Sequence, residues 1–494
     1  MEKSLKQAIN NQAIIIILGA GPAGLAAAFE LVKTTNLKPI ILEADSQVGG
    51  LAKTLDYKGW RFDIGPHRFF SKSLEINEIW EGLLPIQTLE ENGDQVMLEK
   101  DRSTRIYHNK KFFDYPIKLN LKNLSNFSPL VILNIIKDYL AVQIKPIKPE
   151  NNLEDFFINR FGYKLYTLFF KDYTEKVWGV PCTEIPKAWG AQRIKKLSIG
   201  KIISEALKNI VKPKRSTQET SLIDRFLYPK LGAGQMYEAM AEEIKRQGGV
   251  IKTDCQVKAI KLENNKIISV SVWDKKDNTQ KEYEGDYFIS SLPIKDLILM
   301  SEAAPIEIKE VAKNLGYRDF VLVTLLYSKI KTNIPDQWIY VQESDLKMGR
   351  LDIYNNFSPT LLKEQDKIWL GAEYFCDEGD DFWKKSDEEI ITFAKKELAQ
   401  AEIAGIEELL DAYVYRQIKA YPAYLGSYNK FSHLRSYLDN ISNLYSVGRN
   451  GQHRYNNMDH SMLTGLEAVR AIINNSGKEK LWAVNVEDDY HEEK

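Results

Sequence analysis

Gly19, Gly21 and Gly24 stand in GxGxxG order between the β-branched run AIIIIL and the Ala/Leu-rich stretch PAGLAAAFELVK. At a strand-to-helix turn the first glycine permits the tight bend, the second lets a pyrophosphate approach the backbone, and the third lets the helix pack closely. Pro22 and Ala23 open that helix, whose free N–H groups are placed to meet phosphate oxygens. Glu43 closes a second strand pattern, PIILEAD, 19 residues after Gly24, where a carboxylate can accept hydrogen bonds from a ribose. This is the arrangement of a dinucleotide site. A second stretch, DYTEKVWGVPCTEIPKAWGAQR, sets Tyr173, Trp178, Trp189 and Arg193 around two prolines with the periodicity of neither a core helix nor a core strand.

These residues sit in a chain of 494 residues, 44% hydrophobic and 27% charged, long enough for two or three domains. A formal net charge of -1 builds in no overall attraction to nucleic acid or to an anionic membrane. An anionic ligand must therefore be met by a few placed cations. Cys182, Cys255 and Cys376 are odd in number and lack metal or CxxC spacing, which fits a reducing compartment and argues against a disulfide framework or a metal site. The apolar run at 13–32 is broken by glycines and Pro22 and has no cleavage site, so no integral membrane segment is expected and a cytoplasmic location follows.

The order of the next pieces indicates which dinucleotide is bound. SQVGGLAKT brings Gly49, Gly50 and Leu51 after the acidic strand, and GWRFDIGPHRFF follows a hairpin-like stretch. Far downstream, NLYSVGRNGQHRYNNMDHSMLTGLEAVRAII reads as a strand, a glycine turn and a helix beginning near Met458. This order resembles the FAD enzymes that include amine oxidases, protoporphyrinogen oxidases and UDP-galactopyranose mutases. The resemblance implies that Gly49, Gly50 and Leu51 lie along the FAD pyrophosphate, that Val257 lies beside the adenine, and that His67 lies near flavin N5. Gly448, Arg449, Met458, Asp459 and Ser461 would surround the flavin, with the positive end of the late helix aimed at the N1/O2 edge of the ring.

Such proteins fold one α/β, Rossmann-type FAD domain from separated segments, here expected at 12–95, 226–298 and 438–476. Between them, residues 118–225 have a mostly helical pattern, with KPKRSTQET as an exposed loop, and 299–437 alternate as in an antiparallel sheet. A discontinuous FAD domain with a helical insert and a sheet-based substrate domain is the expected architecture.

GGLAKTLDYKGWRFDIGPHRFF, IYHNKKFFDYPIK, YTEKVWGVP with WGAQR, MGRLDIYNNFSP and RYNNMDHSMLTGLEAV occur in the order seen in UDP-galactopyranose mutases. By that resemblance Tyr173 and Trp178 contact a uracil, the indole by stacking. Arg193 and Arg350 grip a diphosphate, for which a guanidinium fork is suited because it bonds two oxygens and keeps its charge. Tyr421 and Tyr455 lie near that diphosphate, and Asn457 stands where short bacterial mutases keep an aspartate. The implied substrate is a nucleoside-diphosphate sugar and the implied reaction a pyranose/furanose isomerisation through a reduced-flavin N5 adduct, as in cell-surface polysaccharide biosynthesis. Arg193, Arg350 and His67 would carry catalysis, with NAD(P)H as an external reductant. The alternative is a redox FAD oxidoreductase, an oxidase or desaturase acting on a sugar or lipid intermediate. A flavin-binding structural subunit is a third class. Neither the sugar nor the oligomeric state, monomer or homo-oligomer, is readable from the residues.

Overall fold

The computed structural model describes residues 12–88, 93–115, 126–187, 189–190 and 225–485. Chain contacts divide it into two units. One lies within Met1–Lys100, Phe226–Tyr317 and Lys419–Tyr490, the other within Asp101–Arg225 and Arg318–Ile418.

The first unit is built on a five-stranded parallel sheet. Its strands are β1 (Ile15–Leu18), β2 (Ile40–Leu42), β3 (Val250–Lys252), β4 (Tyr287–Ser290) and β5 (Leu444–Ser446), in the order β5-β4-β1-β2-β3. All four residues of β1 are buried. A central parallel strand is covered on both faces, which is why IIIL is a continuous apolar run with no alternation. The order is assembled from three distant stretches of sequence, so β1 lies between a near neighbour, β2, and a remote one, β4.

Three helices matter for the site. They are α1 (Pro22–Thr34), α2 (Gly234–Arg246) and α3 (Met458–Ile473). Helices α1 and α3 pack without side-chain spacing at one point. A Cβ added at Gly465 would lie 2.3 Å from Ala23 O and 3.1 Å from Ala27 N. A three-stranded antiparallel sheet, Cys255–Glu263, Lys266–Asp274 and Thr279–Glu284, carries Val257 beside an irregularity in the register between Val257 and Ala259.

The second unit combines helices Pro129–Ile144, Leu153–Phe161, Tyr163–Phe169 and Lys171–Trp178 with a seven-stranded sheet. Leu315–Tyr327, Ile368–Cys376, Arg350–Ile353 and Trp338–Val341 follow one another antiparallel. Thr104–His108 then joins parallel to Trp338–Val341, and Lys111–Asp114 closes that side. The sheet is therefore mixed, and it takes strands from a stretch that the alternation at 299–437 does not include. A parallel neighbour needs no local hairpin, so nothing in the adjacent sequence announces it. The stretch 191–224, with KPKRSTQET, lies outside the described residues. Among the described residues no helix is long and apolar enough to cross a membrane, and no group of three or more His, Cys, Asp or Glu could hold a metal.

Candidate functional site

The carboxyl edge of the parallel sheet in the first unit gathers the dinucleotide motif. Gly19 N donates to Leu42 O (2.9 Å), Ser291 N to Leu18 O (2.9 Å) and Val447 N to Ser290 O (2.9 Å), so the loops leaving β1, β4 and β5 stand side by side. Gly19 holds a φ of +100°, and a Cβ there would also lie 2.3 Å from Ser291 Oγ. At Gly24 a Cβ would lie 2.0 Å from Gly19 O, so the helix can start this close to the strand only without one. Gly21 differs. An added Cβ would meet only Gly50 Cα, at 3.8 Å, an ordinary contact. Its demand comes from whatever approaches the loop, not from the protein.

The second glycine pair is docked onto the first loop. Gly49 N donates to Ala20 O (2.8 Å), and a Cβ at Gly50 would stand 3.1 Å from Gly21 Cα. Leu51 continues the short turn Gly50–Ala52, and Lys53 then pairs with Asp45. Glu43 accepts hydrogen bonds from Ala20 N (2.6 Å) and Asp45 N (2.9 Å). Desolvation raises its pKa, while these two amide bonds pull the other way. Its carboxylate thus braces the glycine loop, leaving its remaining lone pairs as acceptors for a hydroxyl.

Asp63, four residues before His67, ties three segments of the first unit together. Its carboxylate accepts from Thr54 Oγ1 (2.5 Å), Tyr228 Oη (2.6 Å) and Ala233 N (3.1 Å), the last at the start of α2. Gly234 N donates to Thr54 Oγ1 (2.8 Å). The LGAGQ turn is thereby fixed against the double-glycine segment. His67 Nδ1 lies 3.8 Å from Asp63 Oδ2, and that nitrogen is buried without a hydrogen-bond partner. Asp63 was not among the residues singled out in the sequence, and its four-residue spacing from the histidine was the one available hint.

The late helix and its approach complete this unit. Gly448 N donates to Thr464 Oγ1 (2.8 Å), which fixes the turn onto α3. Asn457 N donates to His460 Nδ1 (3.4 Å) at the start of α3, while Asp459, buried in the first turn, accepts from Ser71 Oγ (3.0 Å). Met458 opens the helix and Ser461 is buried one turn in. Tyr455, three residues before it, stacks on Tyr421 of the strand Leu409–Gly426 at 5.6 Å and 22°, and the Arg449 guanidinium lies 4.2 Å from the Tyr455 ring and 5.2 Å from the Tyr421 ring. Arg449 gives one bond to Ala420 O (3.2 Å), and its Nε is buried without a partner. A cation held on two phenol rings with one guanidinium nitrogen unpartnered is a place for negative charge.

The second unit holds the other candidates, and it engages them heavily. Arg350 forms a two-point fork on Glu373, Nε to Oε1 (2.9 Å) and Nη2 to Oε2 (2.5 Å), across neighbouring strands. Glu373 is fully buried and the arginine side chain is 12% exposed. Trp178 is 3% exposed and meets Trp189 edge to face at 5.5 Å and 81°. Tyr173 is half-buried and meets Tyr340 (5.3 Å, 81°) and Phe375 (6.5 Å, 90°). Arg193 lies outside the described residues.

Two further cations lock the helix that bears Tyr173 and Trp178. Buried Arg318 donates to Val177 O (2.8 Å) and pairs with Asp377 (2.6 Å), closing the helix C-terminus where carbonyls lack partners. Lys176 Nζ donates to Glu343 O (2.5 Å) and Val341 O (3.2 Å), and desolvation lowers its pKa to about 8. Neither was legible as a motif, since a lone lysine or arginine carries no spacing signal.

The first unit supplies what FAD needs. It has a glycine turn too close-packed for a Cβ at Gly19 or Gly24 yet open at Gly21, and a braced acidic residue after β2. Comparison with known proteins agrees. A reduced UDP-galactopyranose mutase has the same fold, with a TM-score of 0.78 at 20% identity over 96% of this chain and 99% of that one. A protoporphyrinogen oxidase-like protein from Exiguobacterium sp. 255-15 gives 0.67 at 15% identity, over 93% and 98%. An L-amino acid oxidase from Cerastes cerastes is 32% identical over 126 residues, so the match spans 24% of this chain and 24% of that relative. The sequence signature of the flavin-containing amine oxidoreductases matches residues 22–473, nearly the whole length, and the chain therefore belongs to that family, which implies a flavoenzyme that binds FAD.

Proposed function

We propose that this flavoenzyme is an isomerase of nucleoside-diphosphate sugars, interconverting pyranose and furanose rings. The observation that carries the reading is the Arg449–Tyr455–Tyr421 stack, whose Tyr455 stands three residues before α3. It offers a fixed positive charge and two phenol groups beside the expected flavin position. That composition repels a protonated amine and suits a diphosphate. The fold likeness to the mutase and the five motifs in mutase order support the same substrate class.

In this reading Gly19 to Gly24 and Gly49 to Leu51 hold the FAD pyrophosphate, Glu43 its ribose and Val257 its adenine. The reduced flavin, when bound, supplies a nucleophilic nitrogen for substitution at the anomeric carbon. The helix start at Met458 stabilises negative charge on the reduced ring. His67, with one nitrogen unpartnered, has a proton site to offer near that ring. Arg449, Tyr421 and Tyr455 hold the departing diphosphate, so that charge developing as the glycosidic bond breaks meets donors already in place. In the second unit, Arg193 and Arg350 are proposed to bind a diphosphate, and Tyr173 and Trp178 a base. Arg350 shares its charge with Glu373, so its contribution is that of a hydrogen-bond donor more than of a free cation. NAD(P)H is the proposed reductant and the cytoplasm the proposed location.

The dithionite-reduced protein, offered UDP- and dTDP-sugars, should yield ring-size isomers by chromatography with no net flavin oxidation. A second reading is an FAD oxidoreductase on an anionic substrate, since Arg449 would also hold a carboxylate and L-amino acid oxidases are among the relatives. Stoichiometric substrate oxidation with peroxide release, and no affinity for UDP in either redox state, would replace the isomerase by that oxidoreductase.

A further inference from the structure

The helix Pro129–Ile144 in the second unit is seated on one side only. Ile135 is buried, and Asp138 accepts from Lys164 N (3.0 Å). A Cβ at Gly162 would come within 2.8 Å of Tyr139 N, so the helix backbone rests directly on that turn. Its opposite side carries Leu130, Leu133, Lys137, Leu140 and Ile144, at successive spacings of 3, 4, 3 and 4, which is one continuous helical stripe. The four apolar members are 73%, 61%, 54% and 85% exposed. Single exposed leucines are ordinary, but a full-length stripe on one helix marks a docking face.

Charge identifies what docks. Lys137, Lys145 and Lys148 are exposed and make no ion pair among the described residues. The nearby acids are turned away, Asp138 onto the Lys164 amide and Glu150 onto Arg160 (2.8 Å). The face is thus apolar and cationic in a chain whose formal net charge is -1. A second copy is a poor occupant, because a two-fold pairing along this stripe would set Lys137, at its middle, against its own copy. At 16 residues the helix fits lying shallowly in a bilayer interface, with its leucines at the acyl boundary, the Lys137 stem among them extending its ammonium out to the anionic headgroups, and Lys145 and Lys148 meeting headgroups beyond the helix end. We propose that this face docks the protein onto an anionic lipid bilayer.

The test is flotation of the full-length, flavin-loaded protein with vesicles of phosphatidylcholine alone and of phosphatidylcholine mixed with phosphatidylglycerol. The protein should float with the anionic vesicles and largely lose this in high salt. The double variants Leu133→Asp with Leu140→Asp, and Lys137→Glu with Lys145→Glu, should each bind about tenfold less, with flavin absorbance and thermal unfolding unchanged. Binding that survives either variant overturns the proposal. So does a wild type that ignores anionic vesicles, whether it sediments as a monomer or as a dimer that Leu133→Asp dissociates.

Discussion

The two units treat their candidate site residues in opposite ways. In the first, the site is made by leaving side chains out: a Cβ at Gly24 would lie 2.0 Å from Gly19 O, and one at Gly50 3.1 Å from Gly21 Cα. In the second, the candidates are large side chains already committed to one another, Arg350 to Glu373 and Trp178 to Trp189. Most of these glycines serve the close packing of the loop itself, and Gly21, with room for a Cβ, is the one whose bareness answers to an approaching group. A saturated arginine or a buried indole has a structural use before it has any other.

Gly24→Val should break the first half of that contrast most severely, because the new side chain has no room and the loop must move. The expected outcome is protein without bound flavin, read from the visible absorbance of the purified chain. Gly21→Ala sharpens it, since its Cβ would meet nothing closer than 3.8 Å. That variant should unfold at the wild-type temperature yet retain FAD poorly.

For the second half, Arg350→Ala should cost about 3–5 kcal/mol in folding stability by leaving Glu373 buried and unpaired. Arg350→Met combined with Glu373→Leu should recover much of that, and it is therefore the fairer background for measuring UDP affinity, expected to fall by about 1.5–3 kcal/mol. Trp178→Ala should cost about 3–5 kcal/mol, the range for emptying a buried aromatic site. Unchanged denaturation with lost UDP binding would instead make Trp178 a ligand platform and erase the contrast.

His453 gives a smaller, pH-dependent test. It is fully buried in the first unit, one ring nitrogen meets Ala423 O (3.0 Å), and the other has no partner. Burial lowers its pKa from 6.5 to about 4. Between those values the unfolded chain binds the proton and the folded one does not, so stability must fall as pH drops from 6.5 towards 4. The loss should be on the order of 3 kcal/mol, seen by urea unfolding at several pH values, and His453→Gln should flatten it.

The strands at Ile15–Leu18, Val250–Lys252 and Tyr287–Ser290 and the helix start at Met458 are where the apolar runs and glycine turns place them. Backbone demands of this kind are legible because only glycine, or only a buried β-branched run, meets them. Asp63 was invisible because a buried carboxylate earns its place from Thr54, Tyr228 and Ala233, which are scattered in sequence. The same holds for Glu373 and Arg318. MGRLD displays an arginine, but nothing near it displays the carboxylate 23 positions on that occupies it. The strand Thr104–His108 escaped because its partner, Trp338–Val341, lies more than two hundred positions away.

The bare crossing of α1 and α3, where Gly465 touches the backbone of Ala23 and Ala27, carries a consequence for biogenesis. The opening turn of the nucleotide loop and the helix that backs it are made at opposite times of translation. A nascent chain not yet extended through Leu444–Ile473 has no floor beneath Ala23 and no fifth strand beside β4. Coenzyme capture must wait until both Leu444–Ser446 and Met458–Ile473 have been made, and a chain cut before Leu444 should emerge colourless however intact its glycine motif.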